Sequence, residues 1–337
     1  MRINASDKAA LLAIVERFPR QRIVVLGDLV ADEFIYGEIA RVSREAPVLI
    51  LKQREKKIVP GGGANATNNL VDLGASVTPV SAVGADPAGD ALLSMFREKG
   101  VSLKHVLRLP DYVTPTKSRV LGVLSHAHPQ QIVRVDREPR EAIPAAVRRR
   151  LTAAAVSALG KASALLVSDY GYGVTNAGEI DVVRRGLRGR PLPVTVDSRY
   201  DFPSYTHVTA ATPNEPEVEE ACGERIGNNL EALHRLGKNL LRRQSLQALV
   251  VTRGREGMVL FEPRRAPRHL PVFGSDQVAD VTGAGDTVIA AFTLALAAGA
   301  SFLEAAAIAN CAAGLVVTKR GTATVGRMEL EEAIRNA

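Results

Sequence analysis

Asp280-Val281-Thr282-Gly283-Ala284-Gly285-Asp286-Thr287-Val288 runs without a break into Ile289-Ala-Ala-Phe-Thr-Leu-Ala-Leu-Ala-Ala-Gly299, an apolar stretch of helical length. The pattern predicts a helix that starts near Gly283 and stops at Gly299. Gly283, Ala284 and Gly285 leave backbone N–H groups unobstructed at the helix N-terminus, where free donors and the helix dipole attract phosphate. Asp286 then places a carboxylate beside the phosphate seat, where it can accept a proton from an attacking hydroxyl. The amides would stabilise charge developing on the transferred phosphoryl group. Taken alone, Gly-x-Gly-Asp is equally a glycine-rich helix start capped by Asp, so the rest of the chain has to decide.

Immediately downstream, Ser301 and Glu304 have capping-box spacing ahead of a second apolar run, which predicts a helix from about 302 to 319. Upstream, short apolar runs alternate with helical patterns. Arg22–Gly27, Val77–Val83, Ala164–Val167, Pro193–Val196 and Ala248–Thr252 read as buried strands. That alternation specifies an α/β fold with a mostly parallel sheet covered on both faces. Ligands of such sheets sit at the carboxyl ends of the strands, which draws attention to Asp28, Asp169, Asp197 and Arg253. Phe34 to Val59 and Thr116 to Asp136 break the rhythm with strand character and no helix between. They predict a small accessory sheet that either covers a substrate as a lid or forms an edge or dimer contact. No repeat or linker divides the chain, so one domain over 1–337 is expected.

The 337 residues, 46% of them apolar, suffice for a sizeable core. Cys222 and Cys311 stand far apart and outside any CxxC pattern, which argues against a disulfide framework or a zinc site and for a reducing compartment. Charges at Asp7, Lys8, Glu16 and Arg17 interrupt the N-terminus, and Val288–Leu303 is too short to span a bilayer. A cytoplasmic protein without membrane partners is expected. The net charge of +7 raises the question of nucleic acid. However, Arg148–Arg150, Arg184 with Arg185, and Arg242 with Arg243 fall on separate helical stretches, and aromatic residues make up only 4%. Solvated helix faces, or a field that favours small anionic substrates, fit better.

Asp280-Val-Thr-Gly-Ala-Gly-Asp-Thr resembles the C-terminal signature of the ribokinase-like (PfkB) carbohydrate kinases, and Gly61-Gly62-Gly63-Ala64-Asn65-Ala66 resembles their N-terminal sugar-binding glycine run. The resemblance implies a three-layer sandwich with a small β-sheet lid, and ATP as phosphate donor. It implies Asp286 as base with an anion hole at Gly283, Ala284, Gly285 and Asp286. On the sugar side it implies Gly61, Gly62, Gly63 and Asn65, to which Asp28 and Asp32 after the first strand add carboxylates for hydroxyl groups, at least one binding sugar and the other possible as a cap alone, with Asp169 after a later strand. Asn214-Glu215-Pro216-Glu217 resembles the family's NxxE motif, in which Glu217 organises Mg²⁺ through water. Thr252-Arg-Gly254-Arg-Glu-Gly257 resembles a nucleotide loop, and Asn310 lies on the helix that lines the adenine pocket in relatives. The carbonyls around Asp280 and Thr282 match a region that binds K⁺ in some members.

Further segments resemble heptose 7-phosphate kinases: Tyr36-Gly37, Arg41-Val-Ser43-Arg-Glu45-Ala46-Pro47-Val48, Thr116-Lys117-Ser-Arg119-Val120, Gln130-Gln131-Ile-Val-Arg134-Val-Asp136 and Ser168-Asp169-Tyr170. This likeness implies transfer to the anomeric oxygen, O1, of D-glycero-D-manno-heptose 7-phosphate, in lipopolysaccharide precursor synthesis. Lys117, Arg119 and Arg134 are the cations available for the sugar's own phosphate, since guanidinium groups suit phosphate bidentately. Where such kinases read Asp-Tyr-Ala-Lys-Gly, this chain has Asp169-Tyr170-Gly171-Tyr172-Gly173, and where they read Asp-Pro-Lys it has Asp197-Ser198-Arg199. Arg199 keeps a charge near the nucleotide phosphates and Tyr172 does not. Bifunctional relatives also carry a nucleotidylyltransferase domain with an HxGH motif, absent here, so kinase activity alone is expected. Accessory sheets of this kind imply a homodimer formed through the lids.

Overall fold

The computed structural model describes residues 5–123, 129–187, 189–274, 280–319 and 321–337. Thirteen strands follow one another along the chain: β1 Arg22–Gly27, β2 Leu29–Val42, β3 Leu49–Gly62, β4 Ser76–Gly84, β5 His105–Leu109, β6 Thr116–Val123, β7 Gln130–Arg137, β8 Ala164–Asp169, β9 Val194–Ser198, β10 Ala210–Ala211, β11 Ala248–Thr252, β12 Met258–Phe261 and β13 Arg268–Leu270. Nine of them form one sheet in the order β13-β12-β11-β10-β9-β8-β1-β4-β5. All its pairings are parallel except those of β12 with β11 and β13. Parallel pairing requires crossover segments, and the helices between strands provide them.

Alternate side chains of the central strands enter different cores. Ile23 and Val25 of β1 join the helices Gly63–Asp72, Ala284–Ala297 and Phe302–Val316 on one face. Val24 and Leu26 face the other way, toward Leu151, Val183 and Leu236 of the helices Ala145–Leu159, Ala177–Gly186 and Leu230–Arg243. Strands buried on both faces must be apolar throughout, which is why they read as unbroken runs in the sequence. The result is the expected three-layer sandwich. The helix Ala284–Ala297 is buried along most of its length and ends before Gly299, whose φ is 91°. The next helix ends at Val316, three residues short of expectation.

The remaining four strands form a separate sheet in the order β3-β2-β6-β7. It leaves the main sheet directly, since only Asp28 separates β1 from β2, and it returns through β3 into the helix Gly63–Asp72. The first lid stretch is therefore longer than expected, starting at Leu29 and ending at Gly62. The second matches 116–136 closely, apart from residues 124–128, which lie outside the described residues. Pairing sets Lys117 opposite Asp32, Arg119 opposite Phe34, and Arg134 opposite Arg119. Period-2 geometry then puts Asp32, Lys117, Arg119 and Arg134 on one face, and that face closes over the ends of the main strands.

Candidate active site

The carboxyl ends of β9, β10 and β11, the N-terminus of the helix Ala284–Ala297 and the inner face of the lid enclose a cavity of about 300 Å³. Its wall carries four carboxylates, Asp32, Asp197, Glu217 and Asp286, and four cations, Lys117, Arg119, Arg134 and Arg199. A second cleft of about 160 Å³, largely apolar, adjoins it and shares Thr252, Val281 and Gly285 as walls. Gly254, Gly257 and Asn310 line this second cleft. The helix N-terminus thus stands at the junction of a charged chamber and a largely apolar cleft.

Asp286 is 4% exposed. Its Oδ2 accepts from Asn65 Nδ2 at 2.9 Å and its Oδ1 from the Tyr170 hydroxyl at 2.8 Å. Burial pushes its carboxyl up from the ordinary 3.8 to about 7, against those two donated hydrogen bonds, which pull it down. A carboxyl group titrating there exchanges its proton near neutral pH. Gly283 precedes the helix with φ 79°, and a Cβ on it would stand 2.5 Å from Asn65 Nδ2, so no other residue fits. No side chain caps the helix. The Ala284 amide already donates to Val281 O at 3.2 Å and drops out of the expected anion hole. The amides of Gly285 and Asp286 remain in the first turn, and a Cβ at Gly285 would meet open space.

Three expected sugar ligands turn out to be committed elsewhere. Asp28 is fully buried; its carboxylate accepts from the amides of Tyr170 at 2.9 Å and of Tyr172 and Val174 at 3.1 Å. Asp169 accepts from Gly171 N, Ser198 Oγ and the Tyr205 hydroxyl. Asn65 donates to Asp286 and accepts from Asn69 Nδ2 at 3.1 Å. None of the three lines the cavity, and the hydrogen bonds of each run to protein groups in or behind its wall. In the glycine run only Gly62 lines the cavity. A Cβ on Gly61 would collide with the Asp32 carboxylate, and Gly63 donates its amide to Asp28 O at 3.0 Å.

The lid residues do meet the cavity. Arg119 pairs with Asp32 at 2.6 Å, and Thr322 donates to the other Asp32 oxygen at 3.2 Å. Arg134 pairs with Asp136 at 2.9 Å. Lys117 stands with its ammonium 5.0 Å from the centre of the Tyr170 ring, its pKa lowered by burial and by the nearby Arg199 charge. A cation so placed gains by meeting an anion.

On the nucleotide side, Asn214 and Glu217 form a capping box at the start of the helix Glu215–Cys222, with Asn214 N donating to Glu217 Oε2 at 2.9 Å. Burial raises the Glu217 pKa, and burial together with Asp286 and Glu217 raises that of Asp197 well above the usual carboxylate range. These oxygens suit a hard divalent cation. Among the described residues no three metal-ligating side chains converge, and Mg²⁺ beside phosphates commonly keeps its waters. Asp280 lies outside the cavity wall, its carboxylate holding the amides of Thr282 at 2.9 Å and Gly321 at 3.0 Å. Asn310 donates to Pro271 O at 2.8 Å, which positions the cleft wall. Nothing local in the sequence marks Tyr170, whose hydroxyl reaches a residue 116 positions away. Asp197, near the end of β9, lines the same cavity.

A family model described as pfkB family carbohydrate kinase matches residues 20–327. The chain belongs to the pfkB family. It is therefore a phosphotransferase that acts on a sugar hydroxyl. Among curated pfkB relatives, the bifunctional protein HldE of Pelobacter propionicus is 39% identical over 97% of this chain and 66% of its own length. That of Geobacter metallireducens is 41% identical over 91% of this chain and 61% of its own. The chain thus spans less than two thirds of these relatives. In solved structures, ribokinase from Arabidopsis thaliana complexed with ribose and ATP matches with TM-score 0.71 and 20% identity, over 94% of this chain and 98% of that one. Phosphofructokinase-2 from Escherichia coli with substrates and products matches with TM-score 0.75 and 15% identity, over 94% and 99%. Both share the fold. No helix among the described residues is long and apolar enough to cross a membrane.

Proposed function

We propose that this chain transfers the γ-phosphoryl group of ATP to O1 of D-glycero-D-manno-heptose 7-phosphate, with Asp286 as the base. The observation that carries the reading is the junction: Asp286 and Gly285 lie where a chamber lined by charged groups of both signs meets an apolar cleft flanked by the Thr252–Gly257 loop. ATP lies with its base in the cleft by Asn310 and its phosphates at the helix N-terminus. The sugar lies in the chamber under the lid. Asp286 takes the proton from the O1 hydroxyl, the O1 lone pair forms a bond to the γ-phosphorus, and the bond to the β-phosphate oxygen breaks to release ADP. The first-turn amides and Arg199 stabilise charge on the phosphoryl oxygens. Mg²⁺, held near Glu217 through water, would screen the β- and γ-phosphates when bound. Lid residues Lys117 and Arg134 meet the acceptor's 7-phosphate, and the closed sheet excludes water that would otherwise take the phosphoryl group.

Two further features belong to the same reading. The exposed apolar side chains Val42, Leu49, Val133 and Val135 on the lid suit contact with a second copy, giving a homodimer. A K⁺ ion at the carbonyls near Asp280 and Thr282 would add charge beside the anion hole. The decisive experiment measures ADP release with Mg·ATP and a panel of ribose, fructose phosphates, nucleosides and heptose 7-phosphate, with phosphorus NMR of the product. The highest kcat/KM is expected for heptose 7-phosphate, giving an anomeric phosphate. Preference for an unphosphorylated acceptor would reject the assignment and leave a pfkB kinase for another sugar.

A further inference from the structure

Both oxygens of Asp286 are engaged by side chains from distant parts of the chain, and the two donors differ in kind. Asn65 sits inside a buried network with Asn69, Gly283 and Thr287. Tyr170 instead reaches Asp286 from the cavity wall itself, at the end of β8. We propose that Tyr170 is a positioning residue for the phosphoryl-transfer base: its hydroxyl aims Asp286 Oδ1 at the acceptor and holds the carboxylate in its proton-accepting form.

The geometry leaves little else for that hydroxyl to do. The Tyr170 backbone is pinned from behind, because its amide donates to the buried Asp28 carboxylate at 2.9 Å. Its ring fills the space that a side chain at residue 62 would need. Gly62 has φ 53°, and a Cβ there would approach the ring to 3.1 Å. The Lys117 ammonium over the ring closes the third side. A phenylalanine would satisfy all of this packing; only the 2.8 Å bond to Oδ1 requires the oxygen. A carboxylate oxygen carries two lone pairs, so Oδ1 can accept from Tyr170 and still receive the acceptor's proton.

The electrostatics point the same way. Burial and Asp32 on β2 favour the protonated carboxyl of Asp286, while Asn65, Tyr170 and Lys117 favour the charged one. From the other side, Asp197 on β9 faces both Asp286 and Tyr170, and Arg199 faces Tyr170. Among these groups Tyr170 is the donor that can be removed without a change of charge or shape.

The inference rests on the kinase reading, and its test separates the two. Tyr170→Phe and a single fluorinated tyrosine at 170 are compared with the unaltered protein using ATP and D-glycero-D-manno-heptose 7-phosphate. Loss of the donor should move the acid limb of kcat/KM to higher pH by about one to two pH units, with the rate recovering on the alkaline side. The more acidic fluorinated phenol is a stronger donor and should move the limb the other way. An unmoved limb, or a loss equal at every pH, overturns the proposal. If Tyr170→Phe fails to fold, the fluorinated protein carries the test. Unfolding of the ligand-free proteins gives a readout independent of turnover. The stability difference between the Tyr and Phe forms should widen as pH rises through the titration of Asp286, and a constant difference overturns the proposal. An Asp286→Asn protein that turns over at the normal rate would instead refute the base assignment itself.

Discussion

Replacing Asp286 by Asn should make the ligand-free protein more stable at pH 8 while removing most of its activity. Burial carries the carboxyl from 3.8 to about 7. At ~1.4 kcal/mol per pH unit, the charged form is disfavoured in the folded state by about 4 kcal/mol. The sign follows from proton counting. The folded pKa lies above the unfolded one, so the folded protein holds the extra proton between them. The favourable contribution is complete below pH 3.8 and is lost as pH rises through about 7. Asparagine escapes that loss but presents only one oxygen to two donors, Asn65 and Tyr170, and an unmet donor costs about 1–3 kcal/mol. The net gain at pH 8 is then about 1–3 kcal/mol, and it should vanish or reverse near pH 4. Urea unfolding of both proteins across that range measures it directly. The same variant should lose about 10²–10⁴-fold in turnover while keeping its affinity for ATP. An Asp286→Asn protein destabilised equally at all pH values would show that the carboxylate is not strained by burial, and the account of the base would fail.

Other substitutions test the remaining walls of the site. Lys117→Met should raise the KM for heptose 7-phosphate about 10-fold or more, the worth of a hydrogen bond to a charged group, with the KM for ATP unchanged; equal effects on both would remove Lys117 from the sugar phosphate. Glu217→Gln keeps an oxygen for the Asn214 amide but loses the charge, so the Mg²⁺ concentration giving half-maximal rate should rise while the acceptor KM stays constant. Asp28→Ala strips the acceptor from the amides of Tyr170, Tyr172 and Val174 and should lower unfolding stability by about 3 kcal/mol, with turnover falling because Tyr170 loses its anchor. A stability close to that of the unaltered protein would mean that water replaces the carboxylate.

The parts of the fold that could be read in advance were those with a one-dimensional signal. β1 and β11 match their runs residue for residue, because a strand covered on both faces is apolar without a break between its ends. β10 has two residues, and β12 and β13 four and three. Strands so short carry no periodicity, and their pairing is decided by the sheet edge they meet. β5 is only partly buried and lacks the unbroken apolar run of the inner strands. The lid was visible as strand character without helices. Its origin at Leu29 was not, since nothing in Gly27-Asp28-Leu29 marks where a chain leaves one sheet for another.

The site divides along the same line. Residues whose task is set by their own helix start or loop, such as Asp286, Gly283, Asn214 with Glu217, and Thr252, arrive where their local pattern places them. A carboxylate at the end of a strand has no such constraint. Asp28 and Asp32 are four residues apart, yet one turns inward to three loop amides and the other outward to Arg119 and the cavity. The difference arises from what the segments 116–119 and 170–174 present to them, and that is a property of pairing between distant strands. Acceptor recognition inherits this dependence. The proposed base sits in one continuous motif, whereas Asp32, Lys117 and Arg134 come from three strands whose register alone brings them to a common face. A one-residue slip of β6 against β2 would turn Lys117 and Arg119 to solvent while Asp286 kept its place at the helix N-terminus. On the proposed reading, phosphoryl transfer chemistry can therefore persist while the choice of sugar changes with the register of the lid strands.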